Sequence, residues 1–66
     1  MAKVDTIFGE AKIKNVMIDT DGTNLADGVS ITIDGVVIAE IVGKSTHDIK
    51  RLSVDEFEDL LDSYIS

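Results

Sequence analysis

Apolar residues recur at every second position through the middle of the chain and at helical spacing only near its end. The clearest alternation is Ser30-Ile31-Thr32-Ile33, followed by Asp34-Gly35 and the run Val36-Val37-Ile38-Ala39-Glu40-Ile41. Asp-Gly between two β-branched runs is a strong hairpin signal. A two-residue turn needs positive φ at both positions, which Asp tolerates and Gly adopts freely. The spacing predicts strands over 29–33 and 36–42. In the plain register Ile33 lies opposite Val36, Ile31 opposite Ile38 and Val29 opposite Glu40, giving one nearly all-apolar face for the core. Ser30, Thr32, Val37, Ala39 and Ile41 then share the other face. On it, Val37, Ala39 and Ile41 are candidates either for burial under a terminal segment or for contact between subunits.

Upstream, residues 7–18 read as one long strand or two short ones. Apolar residues fall first on Ile7, Ala11 and Ile13, then on Val16 and Ile18. That change of phase predicts a bulge or break near Lys14-Asn15, since one extra residue exchanges the two faces. Residues 1–5 suit a loose end or a short first strand. Asp19 to Gly28 is rich in turn formers and reads as a long loop. His47, Ile49 and Arg51 alternate with Thr46, Asp48 and Lys50, which suits a short exposed strand over 46–51.

The chain closes with a helix over about 54–65. Ser53-Val54-Asp55-Glu56 has the form of a capping box, with Leu52 and Phe57 placed as a hydrophobic staple. Phe57, Leu60, Leu61 and Tyr64 recur at i, i+3, i+4 and i+7 and form the expected core stripe, which Val54 extends by a turn. The pattern as a whole predicts one small α+β domain over 1–66: an antiparallel β-meander of three to four strands with one C-terminal α-helix packed on one face.

Composition adds limits. A chain of 66 residues buries a small core and needs support from elsewhere. There is no Cys and only one His, so neither a disulfide nor a zinc site can supply it. Self-association is the expected source, and a homo-oligomer is anticipated. No apolar run reaches the ~20 residues of a membrane span, and Met1 to Asp5 lacks the apolar core of a secretory signal. The chain reads as cytoplasmic. Its net charge of −7 argues against direct binding to nucleic acid or to an anionic membrane, both of which favour cations.

Candidate chemistry is sparse. Met17-Ile18-Asp19-Thr20-Asp21-Gly22-Thr23 resembles the first motif of the haloacid dehalogenase family, an apolar strand ending in Asp-x-Asp-Gly-Thr. The resemblance implies Asp19 as nucleophile and Asp21 as acid/base in magnesium-dependent phosphotransfer. It covers these residues alone, and that family's doubly wound parallel sheet is far longer than this chain. The same acids with Asn24 and Asp27 could hold a cation weakly, although Met17 and Gly28 stand where a calcium-binding loop needs acids. A local alternative is a turn in which Asp side chains bond nearby N–H groups. Gly43-Lys44-Ser45 echoes the end of a phosphate-binding loop, but Ile38 stands where its first Gly belongs. His47 beside Asp48 lacks a nucleophile at a defined spacing.

The acids cluster. Residues 53–66 hold five and residues 19–34 hold four, with no Lys or Arg in either stretch. This suggests a non-catalytic module without a cofactor that docks on a basic protein partner through Asp55, Glu58, Asp59, Asp62, Asp27 and Asp34. The sharpest form is an inhibitor imitating nucleic acid, as small acidic proteins of phages and mobile elements do; this is a class-level analogy. An assembly subunit is the alternative, and phosphotransfer through Asp19 and Asp21 a more distant one.

Overall fold

The computed structural model describes residues 2–65. Its elements are β1 (Ala2–Thr6), β2 (Gly9–Asp19), β3 (Leu25–Ile33), β4 (Val36–Val42), α1 (Thr46–Lys50) and α2 (Val54–Ile65). The strands form one antiparallel meander in the order β1-β2-β3-β4, and the C-terminal helix packs against it. The fold is therefore α+β, a four-stranded sheet with helices on one side. No helix among the described residues is long and apolar enough to cross a membrane.

The β3–β4 turn forms where Asp34-Gly35 places it, with φ of 53° and 77° at the two positions. Beyond that turn the strands depart from the plain register. Ile33 pairs with Val36 and Thr32 with Val37, but Ile31 pairs with Ala39, so Ile38 is an extra residue. This β-bulge exchanges the faces of everything after it. Ala39 and Ile41 turn inward beside Ile31 and Val29, and Glu40 turns outward beside Ser30. The grouping of Val37, Ala39 and Ile41 on one outer face is thereby corrected. Ala39 is buried in the core and Ile41 packs against it, while Val37 is exposed. The physical reason is Glu40, which the plain register would have pushed into the core.

β2 runs unbroken through Lys14-Asn15, and its register with β3 is continuous from Ala11–Ile33 to Asp19–Leu25. The change of phase there is no bulge. It marks where packing moves from one face of the sheet to the other. Ala11 and Ile13 are buried under the helices, whereas Val16 and Ile18 are half-buried on the opposite face. Ile18 folds over Gly28, where a side chain would collide with it. The expected loop from Asp19 to Gly28 shortens accordingly to residues 20–24, with Leu25 to Gly28 already in β3.

Residues 46–51 do not form a strand. Thr46–Lys50 is the short helix α1, closed by a capping box: the Asp48 N–H donates to Ser45 Oγ at 3.3 Å, and the Ser45 N–H donates to the Asp48 carboxylate at 2.9 Å. Asn15 on β2 holds this turn down, accepting from the Thr46 N–H at 3.0 Å. At α2 the Glu56 N–H donates to Ser53 Oγ at 3.1 Å and the Ser53 N–H to the Glu56 carboxylate at 2.9 Å, as the capping box requires. The core stripe of α2 is shorter than its spacing predicts. Phe57 and Leu61 are fully buried and Leu60 packs against the core, but Val54 and Tyr64 are exposed. The helix overhangs the sheet at both ends.

Phe57, Leu61, Ile13, Ile31 and Val29 are the largest fully enclosed side chains, and they lie between the sheet and α2. Each is worth about 1.5–3 kcal/mol on burial. α2 spans the sheet, touching β1 and β4, and α1 touches β2. Both helices lie on the same face. Across the sheet from them, the register turns Lys3, Asp5, Glu10, Lys12, Lys14, Val16 and Ile18 outward with Ser30, Thr32, Val37, Glu40 and Val42. No described element covers that second face.

Candidate docking surface

α2 carries Asp55, Glu56, Glu58, Asp59 and Asp62 and has no base in its last turn. These acids divide by role. Asp55, Asp59 and Asp62 recur at i, i+4 and i+7, opposite Phe57 and Leu61, and all three are exposed. They form one ridge along the outside of the helix. Glu56 is committed to the cap, where the Ser53 N–H and hydroxyl hold its carboxyl below the ordinary range. Glu58 points sideways and accepts the Ile7 N–H of the β1–β2 turn at 2.8 Å. It fastens the helix to that turn and is half-buried.

The structure brings Asp55, Asp59 and Asp62 together and separates the rest. Asp34 sits in the β3–β4 turn, at the sheet end that Glu58 reaches. Asp27 lies at the other end of β3, seven residues or about 23 Å away along the strand. Its carbonyl accepts the Gly43 N–H at 2.9 Å. Asp27 lines an open pocket of about 310 Å³ with Asn15, Val16, Gly28, Lys44 and Ser45. Lys44 across that pocket makes this corner mixed in sign. A second pocket, about 230 Å³ and mostly apolar, lies between Ile41, Ile49, Leu52 and Leu60, with Lys44 and Asp48 at its rim.

The loop after β2 resolves the Asp-x-Asp-Gly-Thr motif. Asp19 accepts the Gly22 N–H at 2.6 Å, and Asp21 accepts the N–H groups of Thr23 at 3.0 Å and Asn24 at 2.8 Å. The Asn24 side-chain amide also donates to Asp21, at 2.9 Å. Both carboxylates are thus turned into their own loop, the local-turn arrangement. The antiparallel sheet around them is not the doubly wound parallel sheet that the resemblance implies. Among the described residues, no group of three or more His, Cys, Asp and Glu side chains is arranged to hold a metal ion. His47 is exposed on α1. A helix does begin after Ser45, but it is a single capped turn and a half that uses Ser45 for its own N–H groups.

Hydrogen bonds from Thr23 N–H, the Asn24 amide and Asn24 N–H lower the Asp21 pKa from the ordinary 3.8 to about 2. A depressed carboxylate stabilises the fold above its unfolded pKa, and that contribution is lost as pH falls through the folded value. The loop is expected to stay closed above pH 3.8 and to open as pH falls toward about 2. Carbon-detected NMR titration of Asp21, followed with the exchange rates of the Thr23 and Asn24 amides, measures this. A midpoint near the ordinary value would show that these bonds do not form in solution.

Sequence reading missed the fastening role of Glu58, for which there was no local signal. It also missed α1, although Ser45-x-x-Asp48 is itself a capping pattern. No protein-family model matches this chain, and neither a curated protein nor a solved structure matches it significantly.

Proposed function

We propose that this protein is a non-catalytic binding module that docks on a cationic surface of another protein through the outer ridge of α2. The observation that carries the reading is the division of labour on that helix. Its inner side is committed to the core, Glu56 to the cap and Glu58 to the β1–β2 turn, while Asp55 and Asp59 face outward on the ridge that Asp62 continues. A rigid row of carboxylates about one helical turn apart presents a concentrated field, which steers encounter with a basic groove. The finer form of the proposal is occupancy of a groove that otherwise receives a phosphate backbone. Asp27 lies outside this ridge and is assigned no part in it.

The test is capture of partners from host lysate on immobilised protein, comparing wild type with Asp55→Asn/Asp59→Asn and with Asp27→Asn. The expected result is a cationic protein retained by wild type and by Asp27→Asn. The ridge variant should lose roughly tenfold or more of it, and raising salt several-fold should do the same. A partner retained equally by all three proteins and indifferent to salt would refute docking through the ridge.

A further inference from the structure

We propose that two copies of this chain pair face to face through the uncovered side of the sheet, on a two-fold axis running along β3. The first observation is charge. The chain carries −7, yet the uncovered face sets Lys3, Lys12 and Lys14 against Asp5, Glu10 and Glu40 and is neutral. α2 brings five acids and no base, so approach through the helix side is repulsive and approach through this face is not.

The second observation is register. Lys14 lies beside Ser30 and Ser30 beside Glu40, giving one row across β2, β3 and β4. Val16, Gly28 and Val42 make the next row. A two-fold axis along β3 turns the β2 side of one copy over the β4 side of the other. Lys14 then meets Glu40 of the partner subunit, and Val16 meets Val42 of the partner subunit. Ser30 on the axis is the small residue that lets the two sheets approach, Ile18 fills the space over Gly28 beside it, and the aliphatic stem of Lys12 covers Val37 of the partner subunit. Val37 and Val42, each about half exposed in the single chain, become enclosed.

The third observation is size. With the axis on β3, the overlap is β2, β3 and β4 by about seven residues, roughly 350 Å² of sheet a side, the size of a weak association, which sets the expected Kd in the high micromolar range. Edge pairing is the less suitable route. β1 has only five residues, and β4 is interrupted by the bulge at Ile38, both devices that blunt an edge.

Sedimentation equilibrium over a wide concentration range is expected to show a monomer–dimer equilibrium. Val42→Lys should weaken it by roughly tenfold or more, whereas Val54→Lys, on the helix side, should not. In a sample mixing labelled and unlabelled wild-type chains, intermolecular NOEs are expected between the methyls of Val16 and Val42 of the partner subunit. This second measurement does not depend on a variant folding. A monomeric mass at about 1 mM, a dimer indifferent to Val42→Lys, or intermolecular NOEs confined to α2 or the β4 edge would each overturn the proposal. The ridge variant Asp55→Asn/Asp59→Asn should leave the dimer intact, so the two proposals fail separately.

Discussion

Phe57→Ala is expected to abolish cooperative unfolding. Its ring is the largest side chain fully enclosed by the fold, and it joins α2 to the sheet. Truncating such a ring costs about 3–5 kcal/mol, because the cavity adds to the lost transfer energy. At ~0.05–0.15 kcal/mol per residue, a domain of this length has only about 3–10 kcal/mol in total. A helix of twelve residues is marginal alone, so α2 should melt once undocked. Urea titration followed by circular dichroism, at low protein concentration so that association adds nothing, measures this. A sharp transition with a midpoint near that of wild type would mean that α2 contributes little to the core.

Gly28→Ala is expected to cost about 2–3 kcal/mol, the upper part of the usual range for overpacking. A Cβ at this position would strike the Ile18 side chain and come within 2.6 Å of the Ile41 carbonyl oxygen. The first obstacle is the far end of a flexible side chain. The second is backbone belonging to β4 and cannot move without disturbing the bulged strand. In an Ile18→Ala background the penalty of Gly28→Ala should shrink without vanishing. A double-mutant cycle by urea denaturation resolves the two parts. Complete rescue by Ile18→Ala would show that the Ile41 carbonyl yields freely.

Those two residues illustrate what could be read from the chain and what could not. Phe57 was recognisable because the helical spacing, the cap at Ser53 and the staple with Leu52 all agree. The turn at Asp34-Gly35 was equally open, since its chemistry is local. The strand after it was not. Val36 to Val42 is apolar at all but one position, so either parity gives a plausible core face, and only Glu40 carried the information that chooses between them. Thr46 to Lys50 failed for a different reason: five residues are too few for a period to be counted, and the cap at Ser45 and Asp48 was the better signal. The acids were visible as a cluster. Which of them serve the fold, as Glu56 and Glu58 do, depends on partners distant in sequence, such as the Ile7 N–H.

The bulge at Ile38 also makes this molecule sensitive to length in a way that it is not to composition. Val36 through Ile38 tolerate exchange among similar apolar residues, since none is among the fully enclosed side chains. Loss of one of them would only close the bulge, leaving Ala39, Glu40 and Ile41 opposite Ile31, Ser30 and Val29 as they are, whereas one further residue paired into the ladder would evert the remainder of β4, driving Glu40 inward and expelling Ala39 and Ile41. A drifting lineage could therefore rewrite these letters freely, and even shed one of them, but not add one.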